Sequence, residues 1–214
     1  MAIGRRKLDD RLGKLTWDFE IGCMVLEDRV RTDSGGWENQ QRNVENDKFR
    51  AVIDLPNIER GWIAFVKGEG LNAVLAPLGQ GYGDPPSDQH KEGLRLVAKM
   101  DASLGGDVRE FISTSAGVWS SIDQLHDAYL AGLAKHPDCL PAVDIVDTRK
   151  DEVRGRTFHV PVFKISGWVP RPPELPATGI PLVRRAKKAN GNEQAKDAFA
   201  RPKAKDEFGD EIPF

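Results

Sequence analysis

Aromatic and basic side chains lie close together at several places in the chain, and this combination is suited to binding single-stranded nucleic acid. Of five Trp residues, Trp37 is followed by Arg42, and Trp62 is followed by Phe65 and Lys67. Aromatic faces stack on bases of any sequence, while Lys and Arg contact phosphates. We therefore predict a DNA-binding set composed of Trp37, Arg42, Lys48, Arg50, Trp62, Phe65 and Lys67.

The five Trp residues are not equally good candidates for stacking. Trp37 follows Asp33-Ser34-Gly35-Gly36, which has the composition of a turn, so we predict that a loop carries Trp37 off the sheet. Strand alternation places Trp62 and Phe65 on opposite faces of one strand, and one of these faces must be core. Core packing is our interpretation of Trp17, Trp119 and Trp168.

Residue patterns typical of enzymes and metal sites are largely missing. The sequence has no P-loop, no Gly-x-Ser-x-Gly and no His-Glu-x-x-His. The spacing Gly79-x-Gly81-x-Gly83 resembles a nucleotide loop, but Asp84-Pro85-Pro86 follows it where a helix should begin. His136 and Cys139 form a single pair, and structural zinc normally needs four ligands. We expect a non-enzymatic protein without cofactor or metal.

The last nine residues form an acidic segment that ends in apolar residues. It contains four carboxylates and no basic residue, and a segment of this kind buries too little surface to fold alone. A terminal Phe beside its own carboxylate suits a pocket with an apolar cavity and a basic rim. The predicted partner-binding residues are Asp206, Glu207, Phe208, Asp210, Glu211, Ile212, Pro213 and Phe214.

The segment Asp210-Glu211-Ile212-Pro213-Phe214 resembles the acidic tip of bacterial and phage single-stranded DNA-binding proteins, which typically ends Asp-Asp-Ile-Pro-Phe. This resemblance covers only the end of the chain, and Glu211 replaces Asp. It implies an OB-fold core, a disordered linker and a tip that recruits replication, recombination and repair proteins. It also implies that the protein forms a dimer or higher oligomer.

Charge is distributed unevenly along the chain. Residues 171–205 contain nine Lys or Arg and three Asp or Glu, whereas residues 1–170 contain 22 basic and 26 acidic residues. Duplex binding driven by bulk charge normally requires a basic core. The mildly acidic core is therefore compatible with a single-strand binder that depends on stacking and a local basic groove.

Hydrophobic periodicity predicts a mainly β core. We predict one long strand through Thr16–Leu26, a loop at Arg31–Gln41, and strands at Lys48–Leu55, Gly61–Lys67, Leu94–Met100 and Val108–Thr114. Gly68–Gln89 is predicted as a loop with a helical turn at Leu71–Leu75. The one helix, Ser120–Lys135, is predicted to be capped by Ser120 or Ser121.

A closing hairpin completes the predicted core, with strands at Ala142–Asp147 and Thr157–Val169 and a charged turn at Arg149–Arg156. Pro161 favours an edge or a bulge in the last strand. The pattern predicts an antiparallel, OB-fold-like closed barrel with elaborated loops and a disordered tail. The domains are a core at 1–170, a basic tether at 171–205 and the tip at 206–214.

Composition predicts a cytoplasmic protein, and the resemblance of the tip implies that the cell is bacterial or phage-infected. The chain is 39% hydrophobic and 30% charged, without a membrane-spanning run, and its two Cys residues are interpreted as reduced thiols. Two alternatives to single-strand binding stay open. One is an adaptor or inhibitor that mimics the tip to capture host repair enzymes, and the other is a small DNA-processing enzyme.

Overall fold

The computed structural model describes residues 12–66, 70–153 and 155–177, which form ten strands and one α-helix. The helix α1 (Ala116–Leu133) lies between the eighth and ninth strands. The strands are β1 (Gly13–Asp18), β2 (Cys23–Arg31), β3 (Trp37–Val44), β4 (Arg50–Ile53), β5 (Glu59–Val66), β6 (Gly70–Pro77), β7 (Lys91–Met100), β8 (Val108–Ser113), β9 (Cys139–Val153) and β10 (Arg156–Pro170). The prediction of a mainly β core with one helix is confirmed.

A Greek key forms the centre of the sheet. β4, β7 and β8 pair antiparallel in succession, and after α1 the chain returns so that β9 pairs antiparallel with β4. The resulting order β9-β4-β7-β8 is that of a Greek key, in which the fourth strand lies beside the first. β10 then pairs with β9 in a long hairpin.

The same sheet continues beyond β8 through the first three strands. β1 pairs parallel with β8, and β2 and β3 follow antiparallel. The order β10-β9-β4-β7-β8-β1-β2-β3 leaves the sheet of the described residues open, so the predicted closed barrel is wrong. Near its beginning, β10 contacts the β1–β2 turn, where the His159 amide donates to the Phe19 carbonyl over 2.8 Å.

A two-stranded branch leaves the sheet at β7. The carboxyl half of β7 pairs with β4, while its amino half pairs along the same edge with β5. β6 pairs with β5 alone. The short Leu55–Asn57 turn between β4 and β5 moves the chain from its place beside the carboxyl half of β7 to a place beside the amino half. This branch carries the most aromatic part of the predicted site.

The helix packs over one face of the sheet. Val118, Ile122, Leu125 and Tyr129 follow helical spacing and are buried with the apolar residues of β4, β7 and β8. α1 begins four residues earlier than predicted, with Ser115 at the N-cap position, so Ser120 and Ser121 lie inside the helix. Trp17 belongs to this core, and Trp119 and Trp168 pack against it while partly exposed.

Local hydrogen bonding explains the first strand that was predicted wrongly. The Asp18 carboxylate accepts the amides of Glu20 and Ile21, each over 2.9 Å, and Gly22 has a φ of 79°. An Asp that bonds its own backbone, followed by a residue with positive φ, makes a tight turn. The predicted strand Thr16–Leu26 is therefore two strands of a hairpin.

Three other segments also differ from their predictions. Most of the predicted loop at Arg31–Gln41 belongs to β2 and β3, and the predicted helical turn at Leu71–Leu75 lies in β6. The predicted turn at Arg149–Arg156 is mostly strand, because β9 extends to Val153. Pro161 lies in an edge strand beside a register shift, as its residue type favours.

The chain continues to pack on the core after β10. Arg171 contacts the buried Asp54 carboxylate at 3.0 Å, and Leu175 is 1% exposed against Val97 and Leu140. Residues 171–177 were placed in the tether by composition, and the packed structure includes them. No helix within the described residues is long and apolar enough to cross a membrane.

Candidate nucleic-acid interface

Trp62 lies on β5 and is held by the glycine-rich segment that follows β6. The register places Trp62 between Val74 of β6 and Glu92 of β7. Its indole Nε1 donates to the Gly83 carbonyl over 2.9 Å, and the Tyr82 ring packs edge-on at 5.8 Å between ring centroids. The glycine-rich segment that was predicted as a loop therefore positions an aromatic pair.

Tyr82 is in turn fixed by β7. Its hydroxyl donates to the Glu92 carboxylate, and this hydrogen bond is the main cause that raises the pKa of Tyr82. The neighbouring Arg60 charge acts in the opposite direction on the same hydroxyl. Because the ring is tied at both its edge and its hydroxyl, Tyr82 is preorganised beside Trp62.

Arg60 links Trp62 to a further aromatic residue, Trp119 of α1. Arg60 lies two residues before Trp62 on β5, and residues with this spacing share a strand face. Its guanidinium lies over the Trp119 ring, 5.3 Å from the centroid, and forms an ion pair with Asp123 of α1. The Trp119 indole donates to the Ser113 carbonyl over 3.2 Å, which fixes the ring.

These four residues, Arg60, Trp62, Tyr82 and Trp119, are called the aromatic–arginine cluster below. All four side chains are half-buried, so each is held by neighbours and still reaches solvent. Stacking of a base on an aromatic ring contributes about 1–3 kcal/mol, and arginine adds cation–π and phosphate contacts. Of this cluster, only Trp62 was predicted as a binding residue. The sequence signal for Arg60 was its spacing of two from Trp62.

The other predicted residues of this branch are less closely associated with the cluster. Phe65 is 69% exposed near the end of β5, but alternation puts it on the opposite face from Trp62. Lys67 lies outside the described residues, and so do all the predicted partner-binding residues of 206–214. Phe65 therefore offers a separate aromatic surface on the same strand.

Trp37 lies in a strand and not in a loop, contrary to the prediction. It begins β3 and pairs with Arg31, and it is 43% exposed. The Arg29 guanidinium lies 5.2 Å from its ring centroid. Arg42, on the other face of β3, donates to the Leu104 carbonyl over 3.2 Å. Trp37 and Arg42 therefore share a strand but not a surface.

Lys48 and Arg50 are each paired with a carboxylate. The Lys48 ammonium lies 2.7 Å from Glu45, and Arg50 makes two hydrogen bonds of 2.8 Å to Asp144. The hydrogen bonds from Arg50 are the main reason that the pKa of Asp144 is lowered. Exposed pairs of this kind contribute little stability, so a phosphate can replace the carboxylate at small cost.

The structure does not bring the predicted DNA-binding residues into one patch. Trp62 is opposite Glu92 of β7, whereas Arg50 precedes Ala51, which is opposite Met100. Eight residues of strand separate these positions along β7, a distance of about 26 Å. The aromatic–arginine cluster is therefore distinct from the basic residues at the other end of β7.

A buried ionic group lies on the opposite face of β7. Arg95 is 5% exposed and contacts Glu59 at 3.0 Å and Glu110 at 3.6 Å. Burial raises the pKa of Glu59, Glu110 raises it further, and Arg95 opposes both. With two carboxylates for one guanidinium, this group has no spare positive charge for a phosphate.

Among residues 12–66, 70–153 and 155–177, no group of three or more His, Cys, Asp or Glu side chains is arranged to hold a metal ion. The aromatic–arginine cluster consists of aromatic rings and one guanidinium group. No protein-family model, characterised protein or solved structure matches this chain.

Proposed function

We propose that the protein binds and protects single-stranded DNA without catalysing a reaction, and that its acidic tip recruits replication, recombination and repair proteins. The observation that carries this proposal is the aromatic–arginine cluster. It combines Trp62 of β5 and Tyr82 of the glycine-rich segment with Trp119 of α1, and the Arg60 guanidinium lies over the Trp119 ring. Such a surface accepts bases of any sequence, because every base has a stacking face.

The proposal includes an OB-fold for the core. An OB-fold is a partly open, five-stranded Greek-key barrel, and its ligands bind across the second and third strands and the loops beside them. Support comes from the order β10-β9-β4-β7-β8, which has five strands and Greek-key connectivity. In this assignment β4 is the first strand of the OB-fold and β7 is the second. The connection between them contains β5, β6 and the Tyr82 loop, which carry most of the aromatic–arginine cluster.

A titration with oligo-dT followed by Trp fluorescence tests the binding function. We expect quenching and tight, salt-sensitive binding, and a loss of about fivefold or more in affinity for Trp62→Leu, because one stacked base contributes about 1–3 kcal/mol. Phe19→Leu is the matched control, since Phe19 is 43% exposed and lies outside the cluster. Equal losses in both variants would contradict the proposed site.

A second candidate, an adaptor or inhibitor that captures repair enzymes through the tip without binding DNA, is favoured by one observation. Lys48, Arg50 and Arg60 are all neutralised by carboxylates, and residues 1–170 carry more acidic than basic residues. The same titration decides between the two. Absence of binding at low salt supports the adaptor, and metal-dependent cleavage of the oligonucleotide would indicate a DNA-processing enzyme.

The recruitment function is tested separately with the tip. Removal of Phe214 eliminates both the terminal ring and the position of the α-carboxylate that the partner pocket would recognise. We expect this deletion to abolish binding of bacterial repair proteins while oligo-dT affinity stays within about twofold. If the deletion leaves the partner affinity unchanged, the tip is not the docking element.

A further inference from the structure

Among the strands that the structure describes, β3 has the least protected edge. Within the described residues β3 pairs with β2 alone, and all its residues from Trp37 to Asn43 are exposed. Natural edge strands are usually blocked by Lys, Pro, bulges or shortness. β3 is eight residues long, its register with β2 has no shift, and its sequence WENQQRNV contains neither Lys nor Pro.

The hydrogen-bond pattern of the β2–β3 hairpin determines which groups face this edge. The Thr32 amide donates to the Gly36 carbonyl over 3.0 Å, which makes residues 32 and 36 a hydrogen-bonded pair. Hydrogen-bonded and non-hydrogen-bonded pairs alternate along an antiparallel ladder. The backbone groups of Glu38, Gln40 and Arg42 therefore point to β2, and those of residues 37, 39, 41 and 43 point outward.

This alternation of inward and outward backbone groups limits how two copies of the edge can pair. In a symmetric antiparallel pair, opposed residues must both direct their backbone groups toward the partner or both away from it. The register centred on Gln40 meets this condition. It places Glu38 of each copy opposite Arg42 of the other, which gives two such pairs. Registers centred on Asn39 or Gln41 place Gln40 opposite one of these charges and leave the other charge without an ionic partner.

We propose that β3 pairs antiparallel with β3 of a second copy of this chain, centred on Gln40, and so forms a homodimer through a continuous sheet. The two Glu38–Arg42 pairs determine the register, and the outward backbone groups of Trp37, Asn39, Gln41 and Asn43 supply the hydrogen bonds. Glu38 now accepts from Gln40 over 3.0 Å, and Arg42 donates to Leu104. The contact of Glu38 is exposed and that of Arg42 is part-buried, but both residues are themselves exposed, so both contacts can be exchanged for the intermolecular pair.

Charge reversal tests the proposal in the full chain without DNA, so its outcome is independent of the proposed function. By sedimentation equilibrium we expect a concentration-dependent dimer, whose Kd rises roughly tenfold or more in Glu38→Arg or in Arg42→Glu, since each reversal puts like charges opposite in two places. Combining both substitutions restores opposite charges and should return the Kd close to that of the wild type. Asp33→Arg, an exposed turn residue with the same charge change, should leave the Kd unchanged.

Cysteine cross-linking tests the register itself. Directly opposed residues of a non-hydrogen-bonded pair have Cα atoms about 4.5 Å apart, within the range that a disulfide bridges. Gln40→Cys should therefore give a covalent dimer on mild oxidation, and Asn39→Cys and Gln41→Cys should not. The wild type controls for Cys23 and Cys139. A monomer at every concentration, a dimer insensitive to both charge reversals, or preferential cross-linking through residue 39 or 41 would overturn the proposal.

Discussion

Replacing Gly132 with Ala should destabilise the protein, although helix propensity alone predicts the opposite. Gly132 lies in the last turn of α1, where Ala is favoured over Gly by at most about 1 kcal/mol. A Cβ at this position would lie 2.2 Å from Cζ2 of Trp168 and 2.9 Å from its Cη2. These distances are well inside van der Waals contact, so either the indole or the helix must move.

The surroundings of Trp168 prevent an easy movement of its ring. The indole stacks on His136 with 4.7 Å between ring centroids and on Tyr129 with 5.6 Å. Overpacking of this kind costs about 1–3 kcal/mol, and a disturbed aromatic pair about 0.5–1.5 kcal/mol more. After the propensity gain is subtracted, the net loss is about 2 kcal/mol, which lowers the Tm by about 4–8 °C.

A double-mutant cycle measured by urea and thermal unfolding separates the two effects. In Trp168→Phe, the ring atoms closest to residue 132 are absent, so Gly132→Ala should then stabilise the protein by up to about 1 kcal/mol. The expected result is a change of sign between the two backgrounds. The reasoning is refuted if Gly132→Ala stabilises the wild type, or if its effect is the same in both backgrounds.

Four further outcomes are expected. Asp123→Asn should raise oligo-dT affinity about two- to fivefold by releasing Arg60, as measured by Trp fluorescence, and weaker binding would contradict this role. Gly61→Ala should lower the unfolding free energy measured in urea by about 2 kcal/mol or more, because the new Cβ would lie 2.0 Å from the Val74 carbonyl oxygen. Gly81 has open space around it, so Gly81→Ala should change the unfolding free energy by no more than about 0.5 kcal/mol. Leu175→Ala should cost about 2–3 kcal/mol, and an unchanged stability would show that residues after Pro170 do not belong to the folded core. The folded-state pKa of Glu59 lies above its ordinary value of 4.5, so ionisation of this carboxyl opposes folding. The unfolding free energy of the wild type, relative to that of Glu59→Gln, should therefore rise as the pH falls from 7 through the raised pKa. A fall in this difference would contradict the assignment.

Strand positions were predictable where a single periodic segment is bounded by turn residues. Gly61–Lys67, Leu94–Met100 and Val108–Thr114 correspond closely to β5, β7 and β8. The prediction failed where a turn depends on side-chain hydrogen bonds, as at Asp18, or where a strand is polar on both faces. β3 is exposed along seven of its eight positions, so hydrophobic alternation could not identify it.

The candidate site was only partly predictable for a different reason. Trp62 was identified from its residue type and its neighbours, but its partners are distant in sequence. Tyr82 reaches it from a glycine-rich loop, and Trp119 approaches Arg60 from α1. Trp119, which was interpreted as core from the sequence, is thus also part of a surface, because the packing of α1 leaves one face of its ring next to the Arg60 guanidinium.

The sequence by itself determined the mainly β composition of the core, its one amphipathic helix, and the acidic, Phe-terminated segment with its basic neighbour. These are local properties, readable from residue type and spacing. Only the tertiary structure decided that β9 returns to β4, that β1 lies parallel to β8, and that Arg60 and Trp119 meet beside Trp62. Those contacts join residues roughly 60 to 95 positions apart, and burial of a shared apolar face selects them, which no local pattern records.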